Sequence, residues 1–297
     1  MPDKDIAEKS LEWFNDVFAD IVNAYFAFNG GKNGSMIQPD DLQDTKARSL
    51  YKSDGEIHEQ ERDTVKLWKS GEAVISLLGI ENQTGIDPLM ALRVFGYEGG
   101  DYRWQLTQKG LKPYPVITIV LYFGTERRWT QPRTLIETLD APDYLRPFMN
   151  DCRLNVLELA WLTNEQIKAF KSDFRYIAKQ VQCARTGEEF MPEDGYVEHP
   201  DALFKLMGAL TGDQRFEAAI NDFYKKGERV MIKSFLDNVE ARGISIGEAR
   251  GISIGEARGI SIGEARGEER ARRSIMERLI AGGISPQQAA AFTGLNA

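Results

Sequence analysis

The fold of this chain depends on two runs of sequence, Glu-Arg-Asp-Thr-Val-Lys-Leu-Trp (61–68) and Ala-Val-Ile-Ser-Leu-Leu-Gly-Ile-Glu-Asn-Gln (73–83). The first run alternates apolar with polar side chains and the second is almost continuously apolar, so both are typical of β-strands. Ser70 and Gly71 predict a turn between them. The stretch therefore predicts an antiparallel hairpin with a very apolar interior.

Polar side chains stand at the end of this apolar hairpin. Because successive side chains of a strand alternate between its two faces, Glu81 and Gln83 are expected on one face. Asp63, on the neighbouring strand, is expected to reach the same place. Burial of such carboxylates is costly unless a charged partner such as a metal ion compensates them. The plainer interpretation is that polar residues close a solvent-exposed strand end, and the local pattern alone favours it.

Length and composition place the chain among folded proteins of one large or two smaller domains, with 297 residues, 42% of them hydrophobic and 28% charged. The net charge of −8 argues against a nucleic-acid partner but does not exclude one, because only the local field at a site matters. Two cysteines are too few for a disulfide framework. With no secretory signal pattern and no apolar run long enough to span a bilayer, we expect a cytoplasmic protein without a membrane partner.

Strands and helices alternate along the first part of the chain. Apolar residues recur at helical spacing over 7–28, and a run that is apolar on both faces, residues 116–124, predicts a buried strand. Thr163 and Gln166 form a capping-box pattern that predicts a helix running to about residue 182. This alternation predicts an α/β layer architecture.

The composition and pattern of the sequence change after residue 184. The sequence Gly-Ile-Ser-Ile-Gly-Glu-Ala-Arg occurs three times in succession over 243–266. A period of eight matches neither supercoiled-helix repeat, and a glycine at every fourth position disfavours an isolated helix. We interpret the repeat as a spacer that is helical only when packed against a partner copy. Residues 268–281 interleave arginine with glutamate, which is typical of a self-associating or solvated helix.

These boundaries predict four segments. They are an α/β domain over 1–185, a linker and helical segment over 186–238, the repeat spacer over 239–267 and a helical tail over 268–297.

Several of these segments carry a family resemblance over residues 10–182. They are Asn-Asp-Val-Phe-Ala-Asp (15–20), Arg-Asp-Thr-Val-Lys-Leu-Trp (62–68), Ile-Glu-Asn-Gln (80–83), Tyr-Pro-Val-Ile-Thr-Ile-Val-Leu-Tyr-Phe-Gly (114–124) and Leu-Asn-Val-Leu-Glu-Leu (154–159). In this order they resemble the Rpn family of recombination-promoting nucleases, often described as putative transposases (YhgA-like), within the PD-(D/E)XK nuclease superfamily. The resemblance implies a restriction-endonuclease-like α/β core, a mixed central sheet flanked by helices, followed by a helical C-terminal tail.

The resemblance also implies roles for the polar residues at the hairpin end. Asp63 and Glu81 are the expected carboxylate ligands of Mg²⁺, helped by the backbone carbonyl of Asn82, since hard oxygen ligands suit that ion. The metal is expected to activate a water and to stabilise charge on the scissile phosphate. Gln83 stands where the superfamily usually has a catalytic lysine. A glutamine orients water through hydrogen bonds but carries no charge.

The resemblance implies two further contributions to the site, one from the first helix and one from the helix after the hairpin. The first helix usually adds an acidic or polar group, for which Asp20 and Asn15 are both candidates. In the helix after the hairpin, Arg93 is a candidate contact to a phosphate.

We therefore expect a Mg²⁺-dependent DNA endonuclease that hydrolyses phosphodiester bonds in recombination or mobile-element activity, and that forms a homo-oligomer through its C-terminal tail. The competing hypothesis is a catalytically inactive protein that binds DNA or itself through the same fold. Gln83 and the acidic net charge keep that alternative open.

Overall fold

The computed structural model describes residues 2–31, 36–45, 50–53, 56–59, 62–226 and 229–295. The helices are α1 (Pro2–Glu12), α2 (Asn15–Phe28), α3 (Met90–Thr107), α4 (Leu135–Thr138), α5 (Asn164–Ala169), α6 (Phe174–Thr186), α7 (Pro200–Thr211), α8 (Arg215–Lys226), α9 (Ile232–Ala281) and α10 (Pro286–Thr293). The strands are β1 (Leu42–Asp44), β2 (Leu50–Ser53), β3 (Glu56–Glu59), β4 (Thr64–Ser70), β5 (Ala73–Gln83), β6 (Val116–Tyr122) and β7 (Asn155–Glu158). The chain divides into two compact units, residues 1–236 and 237–297.

A five-stranded mixed sheet forms the centre of the first unit, in the order β1-β4-β5-β6-β7. The β1, β4 and β5 strands pair antiparallel, whereas β5, β6 and β7 pair parallel. Helix α3 packs against the sheet, where its Met90 and Val94 join Val120 in one buried cluster. The predicted α/β class, a mixed sheet flanked by helices with a helical C-terminal region, is confirmed. The β2 and β3 strands form a separate two-stranded sheet.

The predicted hairpin is formed by β4 and β5. Gly71 lies in its turn with a φ of +59°, a left-handed conformation that glycine adopts at little steric cost. The strand predicted from residue 61 begins at Thr64, and Glu61 lies outside the described residues. Thr64 pairs with Ile80, so the same register continued by one residue places Asp63 across from Glu81.

The single helix predicted over 7–28 is wrong, because the chain breaks at Trp13 and Phe14 into α1 and α2. Phe14 is extended, with φ −69° and ψ 129°. The buried Lys66 of β4 donates from Nζ to the carbonyl oxygen of Trp13 at 2.8 Å, and its ammonium lies 5.1 Å from the centre of the Trp13 ring. This bond satisfies a carbonyl at the end of α1 and fixes that end over the sheet.

The helix predicted to begin after Thr163 is likewise two helices, α5 and α6. Its capping box is confirmed, since Thr163 and Gln166 exchange side chain to backbone hydrogen bonds. The break follows from Asp20 of α2, whose Oδ2 accepts from the backbone N–H groups of Lys171 and Ser172 at 2.8 and 2.7 Å. A carboxylate from another helix thus takes the bonds that a continuous helix would make internally.

Arg62 ties the start of β4 to the rest of the sheet. It is buried, and its guanidinium pairs with Asp101 of α3 and donates to Thr118 Oγ1 of β6 at 3.0 Å. Burial lowers the pKa of Arg62 to about 10, so the group still carries its charge at neutral pH. A Cβ at Gly79 would lie 2.8 Å from Arg62 Cδ, so the glycine of β5 leaves room for this side chain. These contacts of Arg62 fix the position of the adjoining Asp63.

The first unit continues beyond residue 185, where the sequence placed the end of the α/β domain. Helix α7 contacts α1 extensively. At the start of α9, Phe235 stacks on Phe204 with ring centres 3.4 Å apart, and Phe216 packs beside them. The helical segment is therefore part of this compact unit.

Helix α9 runs for 50 residues and includes all three copies of the repeat. The expectation that the repeat needs a partner copy to be helical stays a prediction. Its isoleucines are exposed, Ile244 by 57% and Ile252 by 63%. Glutamate, alanine and arginine favour the helix, and helical sequence on both sides removes the cost of nucleation within the repeat. Beyond it, Ser285 caps α10, which ends at Thr293 with Gly294 as its C-cap.

No helix within the described ranges is both long enough and apolar enough to cross a membrane.

Candidate active site

The structure brings the predicted hairpin-end residues together where β5 ends. Asp63 Oδ2 accepts from the backbone N–H of Asn82 at 2.8 Å. Gln83 Nε2 donates to Glu81 Oε1 at 3.2 Å, as expected for two side chains on one strand face. Asp63, Glu81, Asn82 and Gln83 therefore form one connected polar group.

Arg93 of α3 belongs to the same group. Its Nη2 donates to Glu81 Oε1 and to the Tyr97 hydroxyl, both at 2.9 Å, and its Nη1 donates to Asp87 Oδ2 at 2.8 Å. The residue predicted to meet a phosphate thus lies at the site and is held there by three partners. In this structure it neutralises a site carboxylate.

A second cation comes from the last turn of α1. Lys9 Nζ lies 2.9 Å from Asp63 Oδ1. The Lys9 side chain is 46% exposed and that of Asp63 19%, so this ion pair lies at the rim of the site.

Two glutamates of α1, Glu8 and Glu12, were missed by the sequence reasoning. Glu12 is almost fully buried, and its Oε2 accepts from Thr64 Oγ1 and from Asn82 Nδ2, each at 3.1 Å. Glu8 is also buried and forms an ion pair with Lys4 at 3.3 Å. The only cue was their spacing of four residues, which places both on one helix face. A continuous helix over 7–28 assigns that face to solvent, and the break after Glu12 turns it inward.

The two first-helix candidates are used elsewhere. Asp20 holds the start of α6 by accepting from Lys171 and Ser172. Asn15 donates from Nδ2 to the carbonyl oxygens of Pro39 and Leu42, both at 3.1 Å. Both belong to α2, beyond the break, and both link elements of the fold. Glu12 is the first-helix acid that contacts the site.

Two carboxyl groups of the site, those of Glu81 and Glu12, have raised pKa values. Burial raises the pKa of Glu81 to about 7, and the negative charge of Asp63 adds to this effect, whereas Arg93 and Gln83 partly oppose it. Burial also raises the pKa of Glu12 well above its usual value, and the neighbouring Glu8 and Asp63 raise it further. Perturbed carboxyl groups that share one site are typical of functional sites.

Among the residues that the structure describes, three buried side-chain oxygens of this group have no hydrogen-bond partner: Glu12 Oε1, Glu81 Oε2 and Asn82 Oδ1. A buried polar atom without a partner costs roughly 1–3 kcal/mol. Carboxylate and amide oxygens are the ligands that Mg²⁺ prefers, so the donor set fits that ion. Within the described residues, however, no three His, Cys, Asp or Glu side chains are already arranged to hold a metal. The ligands suit the ion chemically but do not converge on one point in this structure.

Residues 61–192 match the model of the family described as "Putative transposase, YhgA-like". Over this segment the chain is similar to the YhgA-like family. The match includes β4 to β7 and therefore Asp63, Glu81 and Gln83, whereas Glu12 and Lys9 precede it. No curated protein and no solved structure matches the chain.

The raised pKa of Glu81 predicts a pH-dependent stability. Between pH 4.5 and about 7 the folded protein holds a proton on Glu81 that the unfolded chain has lost, so stability falls as the pH rises through this window. In the presence of a chelator, the free energy of urea unfolding should fall between pH 5 and pH 8 in both proteins. The fall should be up to about 3 kcal/mol larger for the wild type than for Glu81→Gln. The exposed Glu217→Gln serves as control and should keep the wild-type dependence. Identical pH dependence in wild type and Glu81→Gln would contradict the assignment.

Proposed function

We propose that this chain is a metal-dependent DNA endonuclease of the PD-(D/E)XK type, which hydrolyses phosphodiester bonds in recombination or mobile-element activity. The observation that carries the proposal is the connected group of Asp63, Glu81, Asn82 and Gln83 at the end of a buried hairpin. The similarity of residues 61–192 to the YhgA-like family supports it. So do the raised carboxyl pKa values, which mark acids that a cation would stabilise.

Mg²⁺ is the proposed cofactor. Asp63 and Glu81 would hold it, with the backbone carbonyl of Asn82 and with Glu12 from α1. When bound, such an ion activates a water and stabilises charge on the scissile phosphate. Gln83, whose amide already donates to Glu81, orients the water through its remaining hydrogen-bonding capacity. Arg93 holds Glu81 in place and presents a guanidinium to a phosphate oxygen.

DNA is the proposed substrate despite the net charge of −8. Lys9 and Arg93 supply positive charge at the site itself. Arg127 and Arg128 are exposed on the loop that follows β6, whose C-terminal end adjoins that of β5. The Tyr122 hydroxyl donates to the Arg127 carbonyl at 3.0 Å and fixes this loop. Cations close to the site attract a phosphate backbone even when the whole chain is acidic.

The alternative is a catalytically inactive protein that binds DNA or itself on the same fold. Two observations favour it: position 83 lacks a charge, and the site acids are paired with Lys9 and Arg93 rather than converged on one point. DNA binding without Mg²⁺-dependent cleavage would decide for this alternative.

Asp63→Asn and Glu81→Gln should each abolish plasmid nicking in Mg²⁺, by at least about 100-fold, because each removes a metal-binding charge. Both variants should stay folded, and Glu81→Gln should be at least as stable as wild type at neutral pH. The measurement is plasmid nicking in Mg²⁺ and in EDTA, with thermal unfolding of each variant. Wild-type rates in both variants would refute the site.

Glu12→Gln and Asp20→Asn separate the structural assignment from the sequence-based one. Glu12→Gln should lower the nicking rate, because it removes a charge bonded to Asn82. Asp20→Asn should lower stability by about 1–3 kcal/mol, through lost charge-assisted hydrogen bonds to α6, while the nicking rate of the folded protein is kept. A nicking rate that falls in Asp20→Asn and is kept in Glu12→Gln would show that Asp20 is the acid that the first helix contributes to the site.

The proposed partner of the tail is a second copy of the chain. On α9, Arg272 and Arg273 pair with Glu268 and Glu269 one turn earlier, so the helix presents both charges to an identical helix. The exposed isoleucines of the repeat add apolar surface. A dimer would place one metal site on each strand of a duplex, which suits double-strand cleavage.

Deletion of residues 243–297 should convert a dimer into a monomer in sedimentation velocity and reduce double-strand breaks more than nicks. This deletion keeps the buried Phe235 and Val239, so the first unit should remain folded. Removal of the single repeat 251–258 is the matched control and should leave the dimer intact, because the charged helix at 268–281 remains. An unchanged sedimentation profile in the longer deletion would refute this role of the tail.

A further inference from the structure

The residue at position 83 supplies no positive charge to the site. Gln83 directs its amide at Glu81 Oε1, 3.2 Å away. In the pattern that this site resembles, the same position carries a lysine. A neutral side chain there leaves the attacking water and the phosphate without the ammonium that would face them.

Lys9 brings an ammonium group to this place from a different element. Its Nζ lies 2.9 Å from Asp63 Oδ1, and Asp63 in turn accepts from the backbone N–H of Asn82, next to Gln83. The positive charge of Lys9 also acts on Glu81, where it favours the ionised carboxylate. Lys9 thus influences both acids of the site electrostatically.

The backbone of Lys9 is held in a fixed position relative to the strands. Three residues later, Glu12 accepts from Thr64 Oγ1 and Asn82 Nδ2. Lys66 donates to the carbonyl oxygen of Trp13 just after the helix. The last turn of α1 is therefore anchored to β4 and β5, and the Lys9 side chain extends from that anchored turn.

The two cations of the site differ in their freedom to move. Arg93 is held by Glu81, Asp87 and Tyr97 at once, so its guanidinium is fixed. Lys9 has a flexible four-carbon stem and its side chain is 46% exposed, so its ammonium lies on the solvent side of the ion pair, where a phosphate oxygen can reach it. Asp63 is only 19% exposed, so turning the ammonium away requires another cation to take its place at that carboxylate.

We propose that Lys9 supplies, from the last turn of α1, the positive charge that Gln83 does not supply at its own position. The inference rests on the nuclease function proposed above. Lys9 remains protonated throughout. Its ammonium donates hydrogen bonds to the scissile phosphate and to the attacking water, while Asp63 is freed to bind the metal. Gln83 keeps its role of orienting Glu81 and the water.

The test compares plasmid nicking by wild type, Lys9→Met, Lys9→Arg, Gln83→Lys and the double variant Lys9→Met/Gln83→Lys. Lys9→Met should lower the rate about 100-fold, the order of loss expected when one charged hydrogen-bond donor to the reacting group is removed. Lys9→Arg should retain most of the rate because it keeps the charge. In the double variant, the lysine at position 83 should restore most of the nicking rate that is lost in Lys9→Met. Lys205→Met, which removes an exposed, ion-paired lysine on α7, is the control and should match wild type.

A binding measurement separates this role from a structural one. Calorimetric titration with Mn²⁺ should give Lys9→Met an affinity equal to or higher than that of wild type, because a competing cation at Asp63 has been removed. Loss of Mn²⁺ binding in Lys9→Met, wild-type nicking by Lys9→Met, or no rescue in the double variant would each overturn the inference. If Lys205→Met loses as much nicking activity as Lys9→Met, the loss reflects the total charge of the protein and the inference is also overturned. A wild-type protein that cuts no DNA would overturn the proposed nuclease function and, with it, this inference.

Discussion

Buried negative charge at the end of β5 is the constraint on which the site depends. Burial raises the pKa values of Glu12 and Glu81, and the negative charge of Asp63 raises both further. The fold compensates them with cations from two helices, Lys9 of α1 and Arg93 of α3. The break after α1 and the packing of α3 on the sheet are the features that bring these cations to the strand ends. Such a site is held together by charge balance and is therefore sensitive to any added cation.

The same charge balance would let these residues serve the proposed reaction. Arg93 is fixed by three hydrogen bonds, whereas Lys9 lies at the rim with nearly half of its side chain exposed. The unpaired oxygens of Glu12, Glu81 and Asn82 remain available to a further ligand. A divalent cation would meet these oxygens and relieve the repulsion between the acids, while the displaced ammonium would be free for a phosphate. The same set of charged residues would then determine the stability of the site, its metal binding and its substrate binding.

Local sequence patterns predicted the features that are set locally. Two-residue alternation predicted the β4–β5 hairpin and the shared face of Glu81 and Gln83, because side-chain direction in a strand follows from the backbone alone. The helix breaks before α2 and before α6 could not be predicted in this way. They depend on Lys66 and Asp20, which are distant in sequence from the helices they interrupt. Glu12 was missed for the same reason, since only the first break turns it towards the strands.

The most direct test of this account is the number of protons released when Mg²⁺ binds. Calorimetric titration at pH 7 in two buffers of different ionisation enthalpy measures that number. Because the pKa of Glu81 is about 7, metal binding should release roughly half a proton from Glu81, and Glu81→Gln should release correspondingly less. Absence of Mg²⁺ binding, or binding with no proton release, would contradict the central claim that these buried acids form a metal site.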